Sequence, residues 1–155
     1  MQLDRPELFA RLEGSHSVLI AGAGGGFDVL SGLPLWFSLR AAGKRVHLAN
    51  LSFSDLRGQP PRLIHPGVVQ VRADSPGSDE YFPERTLCRW FQSIGEDVSV
   101  SAFEATGVLP LADAYRALVA QENVDTIVLV DGGTDILMHG DEAGLGTPAH
   151  DIASL

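Results

Sequence analysis

The sequence predicts an α/β fold of the Rossmann-like type, with α/β/α layers around a mainly parallel sheet, in a single domain over residues 1–155. Two short runs, SVLIAG and TIVLV, have the continuous hydrophobicity that is typical of strands buried on both faces. A glycine-rich loop follows each run, and after the first loop come a helical segment, a glycine and another strand. This order is the βαβ unit of parallel sheets.

The first half of the chain supplies the βαβ unit. The helix of the unit is predicted to end at Gly43, although Gly32 and Pro34 interrupt the helical pattern in its first turn. Another helix precedes the unit, with Asp4 as its N-cap and Gly14 as its end. The predicted segments are a helix over Asp4–Leu12, a strand over Ser17–Ala21, a helix over Val29–Ala42 and a strand over Arg45–Leu51.

The second half opens with a loop rich in Pro, Gly and Arg over residues 54–66, after which strands and helices alternate. We interpret Cys88 as a buried structural thiol rather than a nucleophile, since no histidine lies near it in the sequence. Thr147 and Pro148 begin a last helix that stops at Leu155, so we expect a fold that is incomplete at its C-terminus and part of a longer protein. The other predicted segments are strands over Val68–Val71, Val98–Phe103 and Thr126–Val130, and helices over Tyr81–Ile94 and Leu111–Gln121.

The composition argues against several classes of function. The net charge of -9 opposes non-specific binding to nucleic acids and to anionic membrane surfaces. The single cysteine excludes an internal disulfide framework and a thiolate metal cluster, and no apolar run reaches the length of a membrane span. We therefore expect a cytoplasmic protein that binds a small molecule, with no nucleic-acid or membrane partner, and we leave a homo-oligomer open.

The first glycine loop, GAGGGFD at residues 22–28, is the first candidate for ligand binding. It is not the dinucleotide-binding motif, because Phe27 occupies the position of the third glycine, and it lacks the lysine of a P-loop. The amides of Gly24, Gly25 and Gly26 are predicted to bind a phosphate or a carboxylate. The alternative is a tight turn in which the glycines serve only the backbone.

Two polar residues at the same edge of the predicted sheet are further candidates. Asp28 ends the first glycine loop and is predicted either to cap the following helix or to bind a metal or a ribose. Asn50 ends the second strand, where its side chain is expected either to contact a ligand hydroxyl or to form an Asx turn. Both alternatives stay open for each residue.

The second glycine loop, DGGTD at residues 131–135, is predicted to contact the ligand through Gly132, Gly133 and Thr134. If a helical turn begins near Thr134, Asp135 and His139 lie four residues apart on one helical face. A carboxylate and an imidazole in that arrangement are able either to hold a divalent ion or to act as an acid/base pair. Asp135 and His139 are therefore the predicted catalytic residues.

The acidic residues of the second loop are also candidates for metal binding. Asp131 and Asp135 are the predicted oxygen ligands of a divalent ion, and Asp141 and Glu142 are additional oxygen donors. In the structural alternative, Asp131 accepts hydrogen bonds from the glycine amides of a turn, and Asp141 and Glu142 form a solvated face. The cofactor stays unknown, with a divalent metal as the candidate.

The function hypothesis follows from the two loops together. We expect an enzyme that binds a small anionic or phosphorylated metabolite between them, with a nucleotide among the candidates and a divalent metal assisting. One alternative is a non-catalytic module that binds or senses a nucleotide or metabolite. A truncated copy without function is another. The substrate and the reaction class are not specified by these patterns.

Three segments of the chain resemble domain of unknown function family 1152, a prokaryotic family of uncharacterised proteins: GAGGGFDVLSGLPL, LANLSFSDL and DGGTDILMHGDEAGLGTPAHD. The resemblance covers most of the chain and implies a Rossmann-like fold of which this chain is the N-terminal half, since members of the family are longer. In the family the second loop resembles DGGTDSLM, so Ile136 replaces a serine here, and a ligand contact through that hydroxyl would be lost. The resemblance implies no activity.

Overall fold

A computed structural model of the chain describes residues 6–57, 63–139, 141, 143 and 146–155. Within these residues the chain forms one six-stranded sheet and five α-helices, so the predicted α/β class is confirmed. The strands are β1 Ser17–Gly22, β2 Arg45–Ser52, β3 Leu63–His65, β4 Val68–Val71, β5 Val100–Glu104 and β6 Thr126–Val130. The α-helices are α1 Glu7–Arg11, α2 Leu33–Ala41, α3 Pro83–Ser93, α4 Val108–Glu122 and α5 Pro148–Ser154.

The sheet is mixed but mostly parallel, with the strand order β3-β4-β5-β2-β1-β6. Strands β5, β2, β1 and β6 run parallel to one another, whereas β4 is antiparallel to both β5 and β3. At the carboxyl end of β1, Gly22 is aligned with Asn50 of β2 and with Val130 of β6. The loops that follow β1 and β6 therefore begin side by side.

Strand β1 lies at the centre of the hydrophobic core, because all six of its residues are buried. Val18 and Ile20 pack into a cluster with residues of α2 and α3, such as Phe91. Leu19 and Ala21 belong to a second cluster that contains residues of α4. Alternate residues of β1 thus enter two different clusters, which explains why its sequence is apolar without interruption.

Strand β6 differs from the prediction in its burial. The strand itself is present over the predicted residues, but it lies at the end of the described sheet, next to β1. Ile127 is 43% exposed, and the other residues of β6 are only half-buried. The prediction of a fully buried strand was therefore wrong, because an apolar β-branched run does not reveal whether a strand has neighbours on both sides.

The remaining differences concern the ends of elements. The predicted helix over Val29–Ala42 is split into a 3-10 helix, Asp28–Gly32, and α2, which has Pro34 in its first turn. Strand β3 lies within the segment that the sequence predicts as a loop, and Asp4 lies outside the described residues. Cys88 is buried and free, as expected. Among the described residues, no helix combines the length and the apolar character that crossing a membrane requires.

Helix α5 returns the end of the chain to the first glycine loop. The Ser154 hydroxyl donates a hydrogen bond to the backbone oxygen of Ala23 at 2.7 Å. Ala153 packs against the core cluster that contains Leu19 and Leu118. Through these contacts α5 places its buried acid, Asp151, beside the loops that follow β1 and β6.

Candidate functional site

At the carboxyl end of the sheet, a hydrogen bond joins the two glycine loops and another joins the first loop to the end of β6. The backbone N–H of Gly132, in the second loop, donates to Oδ1 of Asp28 at 3.2 Å. The backbone N–H of Ala23 donates to the oxygen of Val130 at 2.9 Å. This is the edge at which open parallel sheets bind ligands.

The first loop needs glycine at three successive positions, for two different reasons. Gly25 and Gly26 have φ values of +102° and +63°, in the left-handed region that L-residues rarely adopt. At Gly24 the reason is space, since an added Cβ would overlap the carboxylates of Asp151 and Asp28. The glycines thus let the backbone pass close to two acidic side chains.

Three carboxylates from distant parts of the chain converge at this place. One oxygen from each of Asp28, Asp131 and Asp151 lies within 4.8 Å of the other two. Asp28 begins the 3-10 helix after the first loop, Asp131 follows β6, and Asp151 lies in the first turn of α5. We refer to these residues as the acidic triad. Sequence reasoning missed Asp151, because an acid in the first turn of a helix is common and no local pattern connects it with β1.

The electrostatics of the acidic triad are unfavourable when no cation is bound. Burial raises the pKa of Asp151 above its usual value, and the negative charges of Asp131, Asp135 and Asp28 raise it further. Burial also raises the pKa of Asp28, and the hydrogen bond from Gly132 opposes that increase. None of the ion pairs among the described residues involves a member of the triad. The triad can lower its repulsion by holding a proton or by binding a cation.

The glycine amides are directed towards the carboxylates of the protein itself. The backbones of Gly24 and Gly25 hydrogen-bond to the Asp28 carboxylate, and these bonds lower its pKa. The N–H of Gly133 donates to Oδ1 of Asp131 at 2.7 Å, which is the turn that the structural alternative predicts. Amides that were predicted to contact a ligand therefore orient two members of the triad.

Asp135 and His139 are not arranged as the sequence pattern predicts. The 3-10 helix that begins at Asp135 ends at Leu137, and Met138 is extended, so the two side chains do not share a helical face. Oδ2 of Asp135 instead accepts hydrogen bonds from the N–H of Thr147 at 2.7 Å and from its hydroxyl at 3.3 Å. Asp135 thereby connects the second loop to the start of α5.

The other predicted residues of the second loop lie at its surface. Gly132, Gly133, Thr134, His139 and Asp141 are exposed to solvent, whereas Glu142 lies outside the described residues. A cavity of about 160 Å³ adjoins this loop and the end of α5. It is lined by Ala23, Leu129, Val130, Asp131, Asp151 and Leu155. Two members of the acidic triad thus form part of the wall of a small cavity.

Asn50 belongs to a buried network of hydrogen bonds behind the first loop. Its side chain is fully buried, and its amide nitrogen donates to the oxygen of Gly26 and to Oε1 of Glu84, both at 2.8 Å. The Ser54 hydroxyl donates to Oε2 of Glu84 at 3.3 Å. Burial raises the pKa of Glu84, while hydrogen bonds from Asn50, Ser52 and Ser54 oppose the increase. Sequence reasoning missed Glu84, because the acid that follows a first-turn proline is typical of an ordinary helix start.

The Glu84→Gln variant is expected to gain stability relative to the wild type as the pH rises above the ordinary pKa of 4.5. Because burial raises the pKa of Glu84 in the folded chain, the unfolded chain releases this proton first. The contribution of Glu84 to the free energy of unfolding of the wild type therefore falls as the pH rises from 4.5 through the raised folded-state pKa. Glutamine does not titrate, so urea unfolding of both proteins across this range measures the difference.

Exposed Glu80, substituted by glutamine, is the matched control for the removal of one carboxylate from the chain. The titratable neighbours Tyr81 and Cys88 keep their protons over this range. Burial, and then the charge of Glu84, raise the pKa of Tyr81 above 10.0, and burial raises that of Cys88 to about 12. A difference between the wild type and Glu84→Gln that does not change with pH would contradict the prediction.

Comparison with known proteins identifies one family. The family model described as protein of unknown function (DUF1152) matches residues 51–155. The match includes Asp131 and Asp151 of the acidic triad, whereas Asp28 precedes it. No curated protein and no solved structure matches the chain.

Proposed function

Since the chain belongs to DUF1152, a family of proteins of unknown function, we propose its function from the site itself. The chain is an enzyme that binds a small anionic or phosphorylated metabolite between the two glycine loops, with the assistance of a divalent metal. The observation that carries this proposal is the joining of the two loops, where the N–H of Gly132 donates to Asp28 beside the acidic triad. Catalytic groups and ligands are commonly found at this edge of a parallel sheet.

The charge of the site favours metal-assisted binding over direct binding of the anion. The amides nearest the ligand edge already hydrogen-bond to Asp28 and Asp131. The negative charge of these carboxylates would repel an anionic ligand. A divalent cation bound between the ligand and the carboxylates removes that repulsion. The cation would also polarise a phosphoryl or carbonyl oxygen of the bound metabolite.

The cavity and the exposed groups of the second loop support a place for the metabolite. The cavity beside Asp131 is mostly apolar and would take the carbon skeleton of a small molecule, while its anionic group reaches the cation. His139 is exposed and is the proposed acid/base group, and Thr134 is a proposed hydrogen-bonding contact. Asp135 acts by positioning Thr147 and α5.

The same proposal includes the layering of the fold, the location of the protein and its association with other chains. The two core clusters, one with residues of α2 and α3 and one with residues of α4, support a Rossmann-like α/β/α layering. The proposed location is the cytoplasm, and the free, buried Cys88 is compatible with its reducing conditions. The partially exposed strand β6 supports a homo-oligomer or a further segment of chain at that edge.

Equilibrium dialysis with radiolabelled inorganic phosphate tests the binding. We expect the protein to retain phosphate in the presence of Mg²⁺ and to lose it when EDTA is added, because the cation supplies the positive charge. Retention that is equal with and without Mg²⁺, or no retention under either condition, would contradict the proposal. Native mass spectrometry of the purified protein adds the identity of a retained metabolite. Turnover of that metabolite distinguishes an enzyme from a binding module.

A further inference from the structure

We infer that Asp28, Asp131 and Asp151 together form the binding site of one hard divalent cation, of the class of Mg²⁺, Mn²⁺ or Ca²⁺. This acidic triad shares its position with the proposed metabolite site, so the inference deepens the proposed function. It does not require the metabolite, and the cation can therefore be tested alone. The ligand set also differs from the pair Asp131 and Asp135 that the sequence predicts.

The geometry of the acidic triad matches a single coordination sphere. Its three oxygens lie within 4.8 Å of one another. Three oxygens that are each at most 4.8 Å from the other two have a common centre no more than about 2.8 Å from each of them, and the usual metal–oxygen distances are about 2.0–2.1 Å for Mg²⁺ and about 2.3–2.6 Å for Ca²⁺. One ion can therefore contact all three carboxylates with only small side-chain adjustments.

The donor set selects the class of ion. The group consists of carboxylates alone, without a histidine or cysteine among its members. Oxygen donors favour hard cations, whereas zinc and copper are usually bound through nitrogen or sulfur. Three protein oxygens leave positions open for water and for an anionic ligand, as is usual for Mg²⁺ in sites that bind phosphate groups.

Asp151 provides a second and independent observation. Its side chain is only 4% exposed, and its Oδ2 atom has no hydrogen-bond partner in the described part of the chain. Buried carboxylates are normally paired, hydrogen-bonded or bound to a metal, because burial of an unpaired charge is costly. No Lys or Arg pairs with Asp151 among the described ion pairs. The neighbouring charges with the largest effect on its pKa are those of other carboxylates. A cation beside the triad supplies the missing partner.

The surroundings orient the ligands before an ion binds. The N–H of Gly132 holds Asp28, and the N–H of Gly133 holds Asp131. Helix α5, which carries Asp151, is attached to the first loop by the bond from Ser154 to Ala23. Hydrogen bonds of this kind fix the orientation of metal ligands, and their loss commonly weakens metal binding.

Mn²⁺ is the probe for this site, because its free form is measured directly by electron paramagnetic resonance. The full chain is freed of metal by dialysis against EDTA and then titrated with Mn²⁺ in the absence of phosphate. We expect one bound ion per chain. The Asp28→Asn and Asp151→Asn variants are each expected to bind Mn²⁺ at least about ten times more weakly. Asp113→Asn is the matched control, since Asp113 is exposed on α4 and should leave the affinity unchanged.

Thermal unfolding of the metal-free proteins separates a lost ligand from a lost fold. Asp151→Asn removes a buried charge, so its midpoint temperature should equal or exceed that of the wild type. Absence of Mn²⁺ binding to the wild type, or unchanged binding by a folded Asp151→Asn variant, would overturn the inference. Mn²⁺ binding without metal-dependent retention of phosphate would support the cation site and reject the proposed metabolite binding. Phosphate retention by a wild type that does not bind Mn²⁺ would overturn the cation site.

Discussion

Replacing Gly24 by alanine is expected to weaken Mn²⁺ binding by at least about 100-fold, because it displaces two of the three proposed ligands. The added Cβ would overlap the carboxylate of Asp151 and would come within 2.6 Å of Oδ2 of Asp28. Both side chains would have to rotate away from the position in which they face Asp131. Titration with Mn²⁺ measures the effect, and circular dichroism shows whether the variant keeps its secondary structure.

Gly14→Ala is the matched control for this substitution. Gly14 lies in the exposed turn after α1, and a Cβ added there has no neighbour within 4 Å. Its φ is also outside the left-handed region, so alanine introduces no backbone strain. Gly14→Ala should bind Mn²⁺ like the wild type. If a folded Gly24→Ala variant did so as well, Asp28 and Asp151 would not be ligands of the ion.

The Phe91→Ala variant is expected to lose about 3–5 kcal/mol of free energy of unfolding, the usual range for a buried aromatic side chain. Phe91 is fully buried in the core cluster formed with α2 and β1. Its ring centroid lies 4.7 Å from that of Trp36 and 5.0 Å from that of Trp90. Alanine would leave a cavity between the sheet and two helices, and urea unfolding measures the cost.

Phe37→Ala gives the comparison at the same cluster of rings. The Phe37 side chain is 42% exposed, although its ring lies 6.3 Å from that of Phe91. Because only part of its surface leaves water on folding, its loss should cost about 1 kcal/mol, well below the value for Phe91. Equal costs for the two substitutions would show that Phe91 is not the central residue of this core.

Much of the fold follows from patterns that are local in the sequence. The buried run SVLIAG predicts β1, Gly43 predicts the end of α2, and Pro148 predicts the start of α5, each near its observed position. These signals work because burial on both faces, helix ends and turn geometry each depend on a few neighbouring residues. Strand β3 was missed because it is three residues long and lies among prolines and arginines.

The candidate site was predicted only in part, and Asp135 illustrates why. The spacing of Asp135 and His139 would place them on one face of an α-helix, but the chain forms a single 3-10 turn and then becomes extended. The Asp135 carboxylate instead accepts hydrogen bonds from both the N–H and the hydroxyl of Thr147. The spacing pattern from Asp135 to His139 covers five residues, so it carries no information about the contact of Asp135 with Thr147, twelve positions further along the chain.

Hydrophobic periodicity and glycine placement are sufficient to specify an α/β chain with two glycine loops at the ends of strands. They also indicate Asp28 and Asp131, because both acids lie within or beside those loops. The membership of the acidic triad depends instead on packing, since Asp151 reaches the loops only when α5 lies against the β1 loop and the second core cluster. Asn50 similarly becomes a buried support through its contact with Glu84 of α3. Short-range patterns specify elements because backbone conformation is local, whereas a site assembled from distant elements requires the complete set of tertiary contacts.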